Sequence, residues 1–430
     1  MKICPPMLIE FSVTNFRSVR SRQTLSLVAS ADAAHQQSNT AATESKEMRL
    51  LRSAVVYGPN AAGKSNLLRA LETLRQLVQN SSAATQEGQR LPLTPFLLAG
   101  QSREEPSVFE VVFEIDGTRF EYCVEASAER ITKEWLVAYP LGRPQRWFER
   151  QYKSETNSSD WWFGPSFKGQ SKQRQVWQNS TRSNALFLST AVQLNNEQLR
   201  PVFDWIVQKL IVLVPGVQLN PFLSLEMLRQ DESSLRVMRF MQAADIDIDR
   251  LELREEEGAG SLPPAMQGIA GLFVQGQPLL QQRIWRVLAW HKRADEGEEV
   301  AFELFDESDG TQKLFEFVGG WLRALDSGAT LFVDELDRSL HPKLTRYLVE
   351  LFNSNENRQN AQLVFTTHDT TLLDPDLLRR DQIWFVEKNK ERASHVYSLL
   401  EFSPRKDERL ERGYLKGRYG AIPLIGRWEW

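Results

Sequence analysis

Residues 58–65 combine two glycines, a lysine and a serine at the spacing of a phosphate-binding loop. Gly58 and Gly63 are separated by four residues, and Lys64 and Ser65 follow at once. In a loop of this Walker A pattern, backbone N–H groups surround phosphate oxygens, the lysine reaches the β- and γ-phosphates, and the hydroxyl ligates Mg²⁺. The pattern therefore predicts a site for ATP and Mg²⁺. Its members would be Gly58, Pro59, Asn60, Ala61, Ala62, Gly63, Lys64, Ser65 and Asn66.

The alternative interpretation of this loop is a chance match on the surface, and the flanking patterns argue against it. Residues 51–57 end in an apolar run of the kind found in buried parallel strands. After the loop, Leu67, Leu71 and Leu74 recur at helical spacing. A strand before the loop and a helix after it are the context that a phosphate loop requires.

A second apolar run, residues 330–333, ends in the two acids Asp334 and Glu335. Two desolvated carboxylates repel each other unless they are paired or bind a metal, so a buried strand does not end this way without a use. Because side chains alternate along a strand, the two acids point in different directions. We assign Asp334 to the Mg²⁺ shell and Glu335 to the polarisation of an attacking water. An exposed strand end is the alternative.

A third apolar run, residues 362–365, leads into Thr366, Thr367 and His368. An imidazole at the end of a strand can bond to a γ-phosphate and sense its presence. A lone histidine is more often structural, but this one repeats the strand-end arrangement of the acids. His368 is therefore a candidate catalytic residue.

Residues 308–312 read Ser-Asp-Gly-Thr-Gln and precede an apolar pattern of helical spacing. A hydroxyl and a glycine at a helix start can accept a phosphate, although the same residues also form an ordinary helix cap. The order of the four motifs along the chain is a stronger signal than this one alone.

The length of 430 residues predicts two to three domains at about 150 residues each. A net charge of −4 excludes a dedicated basic nucleic-acid coat. Two cysteines exclude a disulfide framework. No apolar stretch reaches the roughly 18 residues of a spanning helix, so we expect a cytoplasmic protein without membrane contact.

Alternating patterns at 107–115 and 118–125 predict an antiparallel β lobe, with a hairpin turn at Asp116-Gly117. Helical spacing is expected within 195–245, including Leu210, and again within 277–293. Between the lobe and these helices, residues 143–182 carry a local charge of +5 (eight Lys and Arg against three acids) and many aromatic rings. Cations with interleaved rings fit single-stranded nucleic acid. A protein-docking or oligomer surface, where Trp and Arg are also enriched, is the favoured interpretation, and a plain solvated insertion is the third.

Along the chain the four motifs follow the order phosphate loop, Ser308 motif, acid pair, histidine. This order resembles the ABC-type ATPase heads of the SMC and RecF-like group, as does Asn15-Phe16-Arg17-Ser18. Residues 58–66, 334–342, 379–388 and 414–423 resemble more narrowly the stand-alone anti-phage defence ATPases (RloA/AbiLi-like, with the AriA component of PARIS as a relative). The resemblance implies an α/β fold: an ABC-ATPase-type P-loop NTPase head with an antiparallel β lobe and an inserted helical subdomain. The expected parts are the head at 1–80 and 299–430, the lobe at 81–194 and the helical insertion at 195–298.

The resemblance also implies a site shared between two protomers. One copy supplies Lys64, Asp334, Glu335 and His368, with Arg17 near the phosphates, and the other supplies Ser308, Gly310 and Gln312. A homodimer or higher homo-oligomer would act as an ATP-gated sensor in abortive infection and control a separate toxic effector. The alternative is a RecF/SMC-like DNA-repair or DNA-loading ATPase. This sequence departs from the family pattern at its signature, at His341 and at Ala61-Ala62.

Overall fold

The computed structural model describes residues 6–44, 48–213, 222–257, 283–293, 297–338, 340–405 and 408–423. The strands are β1 Met7–Thr14, β2 Gln23–Ser26, β3 Thr40–Ala42, β4 Arg49–Leu51, β5 Ser53–Tyr57, β6 Ser107–Ile115, β7 Thr118–Ala126, β8 Ile131–Tyr139, β9 Gln145–Lys153, β10 Ser158–Phe163, β11 Leu210–Leu213, β12 Arg250–Glu257, β13 Arg283–Lys292, β14 Glu299–Glu303, β15 Thr330–Val333, β16 Gln362–Thr366, β17 Ile383–Lys388 and β18 Ser394–Ser398. The α-helices are α1 Lys64–Asn80, α2 Ser171–Ser180, α3 Phe187–Gln193, α4 Arg200–Asp204, α5 Phe222–Leu228, α6 Asp231–Ala243, α7 Asp309–Ser327, α8 Pro342–Phe352 and α9 Leu410–Leu415.

The chain forms two compact units. The first contains residues 1–214, 324–337 and 348–430, and the second contains residues 215–323 and 338–347. Among the described residues, no helix is both long and apolar enough to cross a bilayer.

A six-stranded sheet in the first unit has the order β11-β15-β16-β5-β17-β18. Its first five strands are parallel, and β18 closes the edge as an antiparallel partner of β17. Every residue of β5, β15 and β16 is buried. Strands buried on both faces require continuous apolar runs, which is why these three segments carry the strongest strand signals in the sequence.

A seven-stranded antiparallel sheet in the same unit has the order β10-β9-β8-β7-β6-β1-β2. The predicted β lobe is therefore present, and the N-terminal strand β1 belongs to it. Asp116 and Gly117 form the two-residue turn between β6 and β7, both with positive φ angles (47° and 72°). A tight hairpin needs this backbone conformation at both positions, and Asp-Gly supplies it at little cost.

The basic, ring-rich segment 143–182 contributes to the antiparallel sheet through β9 and β10 and then forms α2. Phe148, Phe167 and Trp177 are buried in the core of the first unit. Trp147, Trp161 and Phe163 are partly buried and pack against the same core. Trp162, by contrast, is 47% exposed. Most of these rings therefore contribute to the packing of the first unit, which leaves few of them free to stack on bases.

Five of the eight cations in that segment have partners or are buried within the described structure. Arg150 is buried, Arg174 lies over the rings of Phe163 and Phe167, and Arg182 donates to backbone carbonyls of residues 81, 82 and 85. Arg146 and Lys153 form surface ion pairs with Glu149 and Asp160. Part of the local positive charge therefore belongs to groups that hold the lobe together.

The second unit contains a three-stranded antiparallel sheet of order β12-β13-β14 and the helices α5 and α6. Helical spacing predicted a helix at 277–293, but residues 283–292 form β13, paired on both sides. In a short apolar run, periodicity does not distinguish a strand from a helix. This run contains Ile, Val and two Trp, residue types that favour strands. Leu210, also expected in a helix, begins β11, where it pairs with Thr330.

Glu134 is a buried carboxylate that ties the lobe to α3. Its oxygens accept the backbone N–H groups of Phe187 and Leu188 at 2.7 and 2.9 Å and the hydroxyl of Tyr122 at 2.9 Å. Burial raises the pKa of Glu134, while the charge of buried Arg150 opposes the rise. The first N–H groups of a helix have no intrahelical acceptor, so this carboxylate supplies what the short helix α3 lacks.

Glu134→Ala should lower the free energy of unfolding by about 3–5 kcal/mol, because it leaves Arg150 buried without its carboxylate and orphans the N–H groups of α3. Glu134→Gln should cost less, since it keeps an acceptor. Chemical denaturation checks this, with Glu129→Ala as the control, because that carboxylate lies 63% exposed in a surface pair. Equal loss of stability in Glu134→Ala and Glu129→Ala would contradict the assignment.

Candidate functional site

The phosphate loop, the two acids and the histidine follow three neighbouring parallel strands. The strand order β15-β16-β5 places Asp334, His368 and Gly58 just beyond the carboxyl ends of these strands. The register pairs Val333 with Phe365, which sets Asp334 beside Thr366. Ligands in open α/β sheets bind at this edge. The fold therefore brings together the residues that the sequence singled out separately.

The backbone of the phosphate loop passes so close to the β17–β18 hairpin that its glycines cannot be replaced. A Cβ on Gly58 would lie 2.2 Å from the carbonyl oxygen of Val386, and one on Gly63 would lie 2.0 Å from the Ser394 hydroxyl. Gly63 also has a φ of 114°, in the region that favours glycine. It precedes α1, whose first turn carries no acidic residue to compete with an anion.

Lys64 is buried and folds over its own loop. Its ammonium group donates to the carbonyl oxygens of Gly58 at 2.7 Å and Pro59 at 3.2 Å and lies 3.3 Å from Nε2 of His368. Burial lowers the pKa of Lys64, and the carboxylates of Asp334 and Glu335 act in the opposite direction. The lysine is thus positioned between the phosphate loop and the ends of β15 and β16.

Hydrogen bonds that involve Ser394, Ser18 and Asn66 support the phosphate loop. The Ser394 hydroxyl bonds to the Ala62 carbonyl at 2.6 Å and to the Ser18 hydroxyl at 2.8 Å, and Asn66 donates to Ser18 at 2.8 Å. The Lys388 ammonium donates to Ser394 at 3.1 Å. Sequence reasoning missed Ser394 and Lys388, because nothing in a single sequence indicates that β18 returns beneath this loop.

Arg17 lies in the loop that follows β1, next to Ser18, which hydrogen-bonds with Asn66. Its backbone N–H donates to the Thr94 carbonyl at 2.8 Å, and its φ of 50° is unusual for a side-chain-bearing residue. Asn15 fixes the same loop through bonds to the backbone of Phe96 and Ser102. Partial burial and the nearby charge of Arg69 lower the pKa of Arg17. Positive charge that its neighbours do not neutralise suits a triphosphate.

The hydroxyl of Thr366 hydrogen-bonds to both Asp334 and Glu335. Thr366 Oγ1 donates to Asp334 Oδ1 at 2.6 Å and accepts the backbone N–H of Glu335 at 2.8 Å. Glu335 has a φ of 53°, a strained value for this residue type that persists only where surrounding contacts impose it. Thr366 is therefore a positioning residue for both acids, which the sequence interpretation did not assign.

The carboxylate of Asp334 has the chemistry of a Mg²⁺ ligand. It is buried, and its second oxygen, Oδ2, has no hydrogen-bond partner in the part of the chain that the structure describes. A buried carboxylate oxygen without a partner is costly, and a hard cation that takes oxygen ligands removes the cost. Asp334 and the hydroxyl of Ser65 are the residues that would hold Mg²⁺, which when bound neutralises charge on the phosphates.

His368 lies between Lys64 and Asp337. Its backbone N–H donates to the Asp337 carboxylate at 3.2 Å, and its ring accepts from Lys64. Partial burial of the ring, followed by the charge of Lys64, lowers the pKa of His368, while Asp337 opposes the shift. The imidazole is therefore neutral at pH 7, with Nε2 available as an acceptor. Asp337, three residues after Asp334, is a further site residue that the sequence interpretation missed.

The Ser-Asp-Gly-Thr-Gln motif lies in the second unit, at the start of α7. Ser308 Oγ accepts the backbone N–H of Thr311 at 3.2 Å, which is the bond of an N-terminal helix cap. The side-chain amide of Gln312 donates to the carbonyl oxygens of Phe305 and Glu307. Gly310 lies in the first turn of α7. The serine and glycine thus stand at a helix start, as expected.

A phosphate loop between a buried parallel strand and a helix, with acids at the end of another parallel strand of the same sheet, defines a P-loop NTPase. Residues 53–374 match the model of the family described as "AAA domain, putative AbiEii toxin, Type IV TA system". The chain belongs to this family. No curated protein matches the chain.

Several solved structures share the α/β arrangement only loosely. An SMC head bound to the C-terminal winged-helix domain of ScpA is 12% identical, with a TM-score of 0.39 over 91% of this chain and 97% of that one. The SMC head domain from Thermotoga maritima is 13% identical, with a TM-score of 0.39 over 91% and 98%. RecF with ATP is 14% identical, with a TM-score of 0.36 over 92% and 99%. Similarity this low does not establish a shared function.

Thr366→Val should reduce ATP hydrolysis about 10–100-fold and raise the Mg²⁺ concentration needed for half-maximal turnover, because it releases Asp334 and Glu335 from their shared hydroxyl. Nucleotide binding should persist. Steady-state turnover over a Mg²⁺ titration measures the effect. Thr73→Val is the matched control, since the Thr73 hydroxyl bonds only to a carbonyl within α1. An unchanged Mg²⁺ dependence in Thr366→Val would refute the role.

Lys64→Met should raise the pKa of His368, because it removes both the positive charge and the hydrogen bond that favour the neutral ring. In the unaltered protein the ring should protonate only below the pH at which a free histidine does. An NMR titration of the histidine Cε1 protons follows this, with the His368 signal identified by its loss in His368→Gln. Lys390→Met, at an exposed position, serves as the control. No shift in Lys64→Met would contradict the contact.

Proposed function

We propose that this protein is a Mg²⁺-dependent ATPase whose nucleotide sites are completed between two copies of the chain, and that this ATP-driven association controls a separate toxic effector in anti-phage defence. The observation that carries the ATPase assignment is the convergence of Lys64, Asp334, Glu335 and His368 at one edge of the parallel sheet. The family description names a toxin of a type IV TA system, which supports a role in the control of a toxic activity.

The hydrolytic chemistry follows from the orientation of each group. Lys64 draws negative charge from the β- and γ-phosphates, and Arg17 adds a second cation. Glu335, held at its strained backbone by Thr366, accepts a proton from the attacking water. His368, whose backbone is held by Asp337, would use a ring N–H as a donor to the γ-phosphate once Lys64 turns to the phosphates, and would so distinguish ATP from ADP. No single one of these groups is sufficient, because phosphoryl transfer depends on positioning and electrostatics together.

The need for a second copy rests on the motif that begins α7. Ser308, already the cap of a 19-residue helix, has a hydroxyl proton to donate, and the helix start favours an anion. In the proposed assembly, Ser308, Gly310 and Gln312 of one copy meet the γ-phosphate bound by the other. Binding ATP then favours the paired state, and hydrolysis removes the group that both copies contact.

Mixing two inactive variants tests this arrangement. Lys64→Ala and Ser308→Arg should each abolish turnover alone. In a mixed pair, one site receives Lys64 from one chain and Ser308 from the other, so an equal mixture that exchanges subunits should regain roughly one quarter of normal activity. Mixing Lys64→Ala with Glu335→Gln is the matched control, because both defects lie on the same face and no intact site can form. Absence of recovery in the first mixture would overturn the shared site.

The trapped state gives a second measurement on the same proposal. Glu335→Gln should bind ATP, fail to hydrolyse it and accumulate as a pair in light scattering, whereas Lys64→Ala should stay unpaired.

Expression with the product of the neighbouring gene should then reveal an effector that is held or released according to this trapped state. Turnover is expected to be unchanged by duplex or single-stranded DNA, and strong stimulation would favour the DNA-repair alternative.

A further inference from the structure

Two pairs of exposed apolar side chains lie close in sequence to the residues of the proposed shared site. Phe302 and Phe305, the phenylalanine pair, are 47% and 49% exposed. Leu97 and Leu98, the leucine pair, are 49% and 65% exposed. Single exposed apolar residues need no explanation, but neighbouring ones beside a functional site mark an interaction surface.

The phenylalanine pair is attached to the Ser308 motif. Phe302 lies in β14, and Phe305 lies in the turn that leads to Ser308. The Gln312 side chain donates to the carbonyl of Phe305 at 3.0 Å and to that of Glu307 at 2.8 Å. The phenylalanine at position 305 and the start of α7 are therefore held in a fixed relation, so whatever receives the motif also meets this ring.

The leucine pair is attached to the Arg17 loop. The backbone N–H of Phe96 donates to the Asn15 side chain at 3.0 Å, and that of Arg17 donates to the Thr94 carbonyl at 2.8 Å. Leu97 follows Phe96 directly, so the pair projects from the segment that Asn15 and Arg17 fix. The Arg17 loop also contains Ser18, whose hydroxyl accepts a hydrogen bond from Asn66 at the start of α1.

The charges beside the two pairs have opposite signs. Asp306 and Asp309, next to the phenylalanine pair and Ser308, are exposed. Arg17, whose backbone N–H bonds to Thr94 in the segment that leads to the leucine pair, is exposed and has the like charge of Arg69 as its electrostatic neighbour. Complementary charges orient an encounter and exclude the wrong register.

We propose that the phenylalanine pair of one copy packs against the leucine pair of a second copy, with Asp309 facing Arg17. This inference rests on the proposed function, because the shared nucleotide is what brings the two faces together. In a two-fold pair each contact occurs twice, so four apolar patches are covered at once. Each of these apolar pairs is therefore covered by the second copy of this chain.

Cross-linking between cysteine variants tests the contact directly. In the Glu335→Gln background, Leu98→Cys chains mixed with Phe305→Cys chains should form a disulfide-linked pair under a mild oxidant when ATP and Mg²⁺ are present, and not without ATP. Leu98→Cys mixed with Leu235→Cys is the matched control, since Leu235 is 60% exposed in the same unit as Phe305. Equal cross-linking in both mixtures would overturn the proposed contact.

Measurements of ATP-dependent pairing distinguish a failure of this contact from a failure of the proposed function. Phe305→Ser and Leu98→Ser should each weaken ATP-dependent pairing of the Glu335→Gln protein at least tenfold, and the double variant should be scarcely weaker than either one, because both remove the same contact. Leu235→Ser should pair normally. If the Glu335→Gln protein pairs and both single variants pair equally well, the contact is wrong and the ATPase proposal stands. If the Glu335→Gln protein does not pair with ATP at all, the proposed function itself fails.

Discussion

The site depends on the common ending of three parallel strands. Because β15, β16 and β5 run in the same direction and in adjacent positions, the chain leaves all three at one edge. Parallel strands are joined through crossover connections, so residues more than 300 positions apart meet without any local signal between them. A displacement of β16 by one residue would turn Thr366 away from Asp334 and leave the Glu335 N–H without its acceptor. The register therefore carries as much functional information as the side chains do.

The two sheets of the first unit are held in place by buried polar groups as well as by apolar packing. Gln362, the first residue of β16, bonds to the backbone of Leu8 in both directions, at 2.7 and 3.0 Å, and to the carbonyl of Leu51 at 3.0 Å. A buried amide with all of its bonds made specifies one arrangement, because any other leaves polar atoms without partners. β1 of the antiparallel sheet is thereby aligned with β16, and the loop after β1 carries Asn15 and Arg17 toward the phosphate loop.

Sequence alone could predict the parts of the site that one segment contains. Gly58 to Ser65 require a fixed spacing within a single loop, and Asp334 and His368 follow uninterrupted apolar runs, so local patterns sufficed. It could not predict Ser394, Thr366 or Asp337 in their supporting roles, since each acts through a contact made by folding. In the segment 143–182 composition counts rings and charges but does not say which face of a strand is buried, so it could not predict that most of the rings pack into the core. At β13, pairing on both sides decided the structure where periodicity was ambiguous.

Lys64 connects these observations, because its ammonium contacts the phosphate loop and the His368 ring at the same time. Burial, and after it the charge of Lys64 that would attract a phosphate, lowers the pKa of His368, and the neutral Nε2 accepts a hydrogen bond from the lysine. Any ligand that draws Lys64 toward phosphate oxygens must therefore loosen its bond to His368, which frees the ring to take part in recognising the same phosphate. Asp337 holds the backbone of His368 throughout, and Tyr57 bonds to the carbonyl of Asp369 at 2.9 Å, so the ring can respond while its loop stays fixed. Coupling of this kind needs no large movement of the backbone around the site.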